Sequence, residues 1–246
     1  MTNAGSNGKF LGVLDLELGK GSVKNVSYRL LPVFSNQLKA DGEMSALIDK
    51  LHAPHLKEFG HKIADADRLL YRRGNFNGTF DDLICDALLK ERDAEIALSP
   101  GFRWGTSVLP GAPITMEDIH NATAITYPQV YRLPMTGERL KDVLEDVADN
   151  LFNPDPYYQQ GGDMVRCGGL GYAIDISKPI GQRISNMTLL KSGKAIEAKR
   201  EYTIAGWASV NEGTQGPNIW DVVERYVAAE KTVRLKPNSS VKISGV

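Results

Sequence analysis

The chain has 246 residues, 29 basic and 30 acidic side chains, and a formal net charge of −1. Hydrophobic residues make up 42% and charged residues 24%, the balance of a globular protein with a core of its own. So even a charge offers no bulk field to nucleic acid or an anionic membrane, and no apolar run approaches the ~20 residues of a membrane helix. Disordered, fibrous and membrane-spanning classes are excluded.

Residues 10–33 read as a β-hairpin. Leu14, Leu16 and Leu18 alternate, Gly19-Lys20-Gly21-Ser22 supplies the turn, and Val26, Tyr28 and Leu30 alternate again. Asp41 is placed to cap a helix with Met44, Leu47, Ile48 and Leu51 on one face, which Pro54 ends or kinks. Residues 35–61 form the expected linker. From residue 62 onward the pattern is a mixture of helices and strands.

Thr79 begins a helix that buries Phe80, Leu83, Ile84, Ala87 and Leu88. A strand over 95–99 runs into Pro100-Gly101-Phe102-Arg103-Trp104-Gly105. Thr115 and Asp118 have the spacing of a capping box, and Thr136 caps a longer helix after a strand over 130–135. Residues 153–171, rich in Pro, Tyr and Gly, are expected to be loop. Strands near 170–176, 183–190 and 201–208 and a helix carrying Ile219, Val222, Val223, Tyr226 and Val227 complete the chain. The order of elements predicts an α+β fold, a mixed sheet with packed helices.

Several chemistries lack their motifs. There is no phosphate-binding glycine loop, nucleophile elbow, paired C-x-x-C or H-E-x-x-H. His52, His55 and His61 cluster, but Pro54 intervenes and no carboxylate stands at ligand spacing, so solvent-facing histidines are the expectation. Cys85 and Cys167 neither require nor exclude an oxidising compartment. The polar residues 1–8 lack the basic and apolar regions of a signal peptide, which read alone implies the cytoplasm.

Two loops carry candidate chemistry. Arg103, flanked by Phe102 and Trp104 after a strand end, suits either an oxyanion or a surface role shielding its aromatic neighbours. In residues 160–169, Gly161 and Gly162 permit close backbone approach. Asp163 and Arg166 either pair with each other or face a substrate. Cys167 beside Arg166 lacks a nearby histidine base, which argues against a nucleophile.

At these loops a resemblance enters. Gly74-Asn75-Phe76, Ser99-Pro100-Gly101-Phe102-Arg103 and Met135-Thr136-Gly137 resemble the C-terminal domain of the 5′-nucleotidase family. Gly161-Gly162-Asp163-Met164-Val165-Arg166, followed by Gly168-Gly169-Leu170, resembles the SoxB-type thiosulfohydrolases of bacterial sulfur oxidation. Residues 2–12 resemble the end of the metallophosphoesterase domain of those enzymes. Nucleotidases of the family hold a base between two rings. Tyr127 stands for the first, but Gly213-Thr214-Gln215-Gly216-Pro217 carries no second ring. A lost stack is worth roughly 1–3 kcal/mol.

The resemblance implies the substrate-recognition half of a hydrolase that releases sulfate from cysteine-bound thiosulfate on a carrier protein. Its expected substrate-binding residues are Arg103, Trp104, Tyr127, Gly162, Asp163 and Arg166, with no catalytic or metal-binding residue in this chain. Two manganese ions, a periplasmic location and the carrier's flexible tail as partner are implied for the complete enzyme, with no nucleic acid or membrane partner. Residues 1–34 are then the last strands of a truncated metallophosphoesterase domain, 35–61 an inter-domain linker and 62–246 the substrate-binding domain. The alternatives are nucleotide hydrolysis on the same fold, or a non-catalytic module that binds a carrier peptide.

Overall fold

The structure, a computed structural model, describes residues 2–5, 8–34, 37–72, 74–102, 105–208 and 213–245. It comprises two compact units, residues 1–58 and 59–246.

In the first unit, β1 (Phe10–Gly19) and β2 (Ser22–Pro32) form an antiparallel hairpin. Leu14 opposes Tyr28 and Leu16 opposes Val26, and opposed residues share a face. Leu14, Leu16, Leu18, Val26, Tyr28 and Leu30 are all exposed. Helix α1 (Gly42–His52) begins as its sequence dictates, with the Asp41 carboxylate accepting from the Met44 N–H at 2.8 Å. It stops two residues before Pro54. A single turn, α2 (Leu56–Phe59), follows.

The second unit contains β3 (Lys62–Ala66), α3 (Thr79–Glu91), β4 (Ile96–Gly101), β5 (Pro113–Thr115), α4 (Met116–Thr123), β6 (Tyr131–Thr136) and α5 (Gly137–Phe152). A 3₁₀ turn at Pro156–Tyr158 leads to β7 (Asp163–Gly168), β8 (Leu170–Asp175), β9 (Ile184–Leu189), β10 (Lys194–Ala195) and β11 (Glu201–Gly206). Then come α6 (Ile219–Glu230), β12 (Thr232–Val233) and β13 (Val241–Ser244). The α+β reading holds. Thr115 and Asp118 exchange both capping-box hydrogen bonds, and the Thr136 hydroxyl accepts from Arg139 N–H.

The central sheet has the order β6-β11-β4-β7, with β11 parallel to β4 and the other pairs antiparallel. Strand β4 is apolar on both sides because side chains alternate across a sheet that is covered on both faces. Ala97 joins a core with α3, α4 and α6, while Ile96 and Leu98 join another with α5, β8 and β9. Two smaller sheets, β10-β9-β8-β13 and β12-β3-β5, flank it.

One expectation is corrected here. Residues 153–171 are not all loop, because Asp163–Gly168 is an edge strand paired with β4. Its two charges point inward, which hides the alternation that identifies a half-buried strand. They are stabilised by partners far away in sequence.

Candidate functional site

The end of β4 and the start of β7 meet closely. Gly101 pairs with Asp163, and a Cβ at Gly101 would lie 2.5 Å from the Met164 carbonyl oxygen. Glycine is therefore required by space. Gly161 and Gly162, with φ of +86° and +88°, use the left-handed region that glycine enters at no steric cost. Nothing lies within 4 Å of where a Cβ at either would be. The 72–77 connection joins this junction through the Met164 N–H, which donates to the Asn75 carbonyl at 2.9 Å.

Beneath the junction lies a buried charge cluster of Arg72, Asp81, Asp163 and Arg166. Arg166 Nη2 is 3.1 Å from Asp163 Oδ2 and donates to the Gly74 carbonyl at 2.6 Å. Its Nε is 3.4 Å from Asp81 Oδ2. Arg72 Nε donates to the other Asp81 oxygen, Oδ1, at 2.8 Å. Two cations and two anions thus compensate one another out of solvent, as buried charges must. Burial pushes the Asp81 carboxyl up, while both guanidiniums oppose that rise.

Of the six expected substrate residues, the four described ones, Tyr127, Gly162, Asp163 and Arg166, fall in different settings. Asp163 and Arg166 pair with each other, the first of their two readings. Arg166 is 1% exposed, so its guanidinium is part of the interior. Gly162 is exposed in the loop directly before that pair. Tyr127 is exposed on the connection after α4. That connection is tied to the segment before α6 by the Ile219 N–H to Pro128 carbonyl bond at 2.9 Å and by a bridge between Gln129 and Asn218. Arg103 and Trp104 lie outside the described residues.

Sequence reasoning missed Arg72, Asp81 and Trp207. Asp81 had a readable signal: it occupies the helical face that continues through Ile84, Cys85 and Leu88, an acid at a core position. Trp207, also buried, donates its indole N–H to Ser99 Oγ at 2.8 Å and meets the Phe102 ring edge-on at 6.2 Å. No aromatic residue occurs between Trp207 and Trp220, and Trp220 packs on His120 with ring centroids 5.0 Å apart.

Cys167 is half-buried, and burial raises its thiol to about 12 despite Arg166 beside it. Cys85 is raised well above the ordinary thiol value by burial. Neither is a poised nucleophile. Cys167 lines a groove of about 550 Å³ between α3 and residues 234–240, and none of the four described expected residues lines it. Among the described residues, no group of three or more His, Cys, Asp or Glu side chains is placed to hold a metal ion. The described residues alone offer no ligand set for a dinuclear centre. No described helix is long and apolar enough to cross a membrane.

A family profile described as 5′-nucleotidase, C-terminal domain, matches residues 62–225, two-thirds of the chain. The chain belongs to the 5′-nucleotidase C-terminal domain family. Among solved structures, this family domain is similar to the Thermus thermophilus sulfate thiohydrolase SoxB, with 34% identity and a TM-score of 0.89 over 97% of this chain and 45% of that one. A 5′-nucleotidase precursor from Thermus thermophilus aligns at 18% identity and TM-score 0.77, over 97% of this chain and 50% of that one. The Haemophilus influenzae NAD nucleotidase aligns at 15% identity and TM-score 0.62, over 90% of this chain and 47% of that one. The last two likenesses establish the fold alone. No curated protein matches significantly by sequence. The chain spans about half the length of the solved structures that it matches.

Proposed function

We propose that this chain is the substrate-recognition half of a hydrolase that releases sulfate from cysteine-bound thiosulfate on a sulfur-oxidation carrier protein. The observation that carries the reading is the 34% identity to a sulfate thiohydrolase over nearly the whole chain, against 18% to a 5′-nucleotidase of the same fold. The site's chemistry supports the same choice. The rings near the segment before α6 are spoken for, since Trp207 is buried and Trp220 packs on His120. A nucleotide base would have Tyr127 on one side and no second ring in residues 213–217 on the other. Stacking is worth roughly 1–3 kcal/mol per base, so the loss favours a small anionic group over a nucleotide.

In this reading the glycine backbone at 161–162 accommodates the carrier's flexible tail, and Arg103, with Trp104 beside it, meets the sulfonate oxygens. Arg166 and Asp163 act from within, as the buried pair on which the glycine loop rests. Residues 1–34 are the closing strands of a metallophosphoesterase domain, and 35–61 its connection to the recognition domain. Two manganese ions would belong to that metallophosphoesterase domain, and the present chain takes no chemical step beyond binding and orienting. The complete enzyme would work in the periplasm.

Binding separates this reading from nucleotide hydrolysis. The complete gene product is titrated with a carrier peptide bearing an S-sulfonated cysteine, with the reduced peptide and with AMP. Selective binding of the S-sulfonated peptide is expected. Binding of AMP without the peptide would replace the proposal by a nucleotidase.

A further inference from the structure

Arg72 is 3% exposed, and each nitrogen of its guanidinium meets a different segment. Nε donates to Asp81 Oδ1 on α3 at 2.8 Å, Nη1 to the Ala122 carbonyl in the last turn of α4 at 2.6 Å, and Nη2 to the Pro100 carbonyl in β4 at 2.8 Å. Its central carbon also lies 5.8 Å from the Phe102 ring centroid and 5.6 Å from that of Trp207. Only a planar fork with fixed donor directions satisfies all these partners together; a lysine ammonium on a flexible stem does not.

We propose that Arg72 is a positioning residue for substrate recognition, fixing the 99–102 segment at the end of β4 against the end of α4 through Pro100, Phe102 and Ala122. The proposal rests on the recognition role inferred above. Two described segments, 99–102 and Gly105, approach the same helix end. Arg72 bridges Pro100 to Ala122. Gly105 approaches α4 so closely that a Cβ there would come within 3.1 Å of the Asn121 carbonyl oxygen. Tyr127 follows on the same connection, five residues beyond Ala122. Through Asp81, Arg72 also shares a carboxylate with Arg166, and Arg166 holds Asp163 and the Gly74 carbonyl. One cation therefore spaces the end of β4, the Tyr127 connection and the glycine loop relative to one another. Such spacing has functional weight, because a displacement of about 1 Å in a binding group can cost on the order of 10²-fold in rate.

The test is Arg72→Lys in the complete gene product, read by hydrogen exchange and by kinetics on thiosulfate-loaded carrier. Faster amide exchange in both 99–102 and 122–127 is expected, with KM raised about tenfold and kcat changed less. Val227→Ala, a truncation in the core of α6, supplies a comparable loss of melting temperature without touching either loop and should leave KM unchanged. If Arg72→Lys does not fold, Phe102→Leu keeps the guanidinium hydrogen bonds, removes the ring, and should raise KM about two- to fivefold. A lower melting temperature with KM and loop exchange both unchanged, as in Val227→Ala, would overturn the proposal. If the wild-type protein releases no sulfate from the carrier, the recognition reading fails, and loop exchange alone decides whether Arg72 positions these segments.

Discussion

Arg166 Nη2 lies 3.1 Å from Asp163 Oδ2, three residues earlier on β7, with both side chains out of solvent. The Asp81 carboxylate, 3.4 Å from Arg166 Nε, completes the setting. Removing the cation takes from buried Asp163 its ion-pair partner and from Asp81 one of two, since Arg72 still holds the other Asp81 oxygen, and breaking such a buried pair costs about 3–5 kcal/mol. Arg166→Ala is therefore expected to lower stability by that amount in urea unfolding, before any effect on ligand is measured. A loss under about 1 kcal/mol with weakened binding would return Arg166 to the substrate.

Asp82 offers a pH-dependent counterpart on the next residue of α3. Burial raises its carboxyl to about 6, although it accepts from Asn238 Nδ2 at 2.7 Å. A carboxyl whose folded pKa exceeds its unfolded value binds more protons when folded, so its contribution to stability falls as pH rises from about 4 to about 6. Asp82→Asn keeps an acceptor for Asn238 and removes the charge. The variant is expected to match the wild type in unfolding free energy at pH 4 and to exceed it at pH 7 by about 1–2 kcal/mol, a figure reduced for partial solvent screening. Equal differences at both pH values would show that Asp82 is ionised throughout.

The two thiols should be chemically quiet. Arg166 points to the Asp81 side of β7, so Cys167, the next residue, projects to the other face, and the two cysteines belong to different cores. With Cys167 raised to about 12 and Cys85 also raised, almost no thiolate exists at neutral pH. Iodoacetamide at pH 8 should label neither in the native protein and both in guanidinium. Rapid native labelling of Cys167 would reopen a reactive role.

Glu145 on α5 holds the turn before β9. Its carboxylate accepts from the N–H groups of Gly181 at 2.8 Å and Ile184 at 2.7 Å. Glu145→Ala leaves those donors without their charged acceptor and should cost about 2–4 kcal/mol in thermal unfolding.

What could be read from the sequence was what local rules govern. Asp41, Thr115 and Thr136 cap their helices because a short oxygen-bearing side chain satisfies a nearby free N–H, whatever the rest of the chain does. The apolar alternation of 10–33 and 170–176 likewise depends only on neighbours in the chain. β7 could not be read this way, because Asp163 and Arg166 are tolerated inside it only by contact with Asp81 and Gly74, more than eighty residues away. The glycine loop could be located, but the direction its charges face could not. Arg72 gave no signal, since its partners Asp81, Pro100 and Ala122 are brought together by the fold alone.

The central claim, recognition of a protein-borne S-sulfonate, is tested most directly by turnover. The complete gene product, supplied with manganese, is assayed in parallel for sulfate release from thiosulfate-loaded carrier and phosphate release from AMP. Sulfate release from the carrier with negligible phosphate from AMP is the expected result. Phosphate release from AMP with no sulfate from the carrier would contradict the claim.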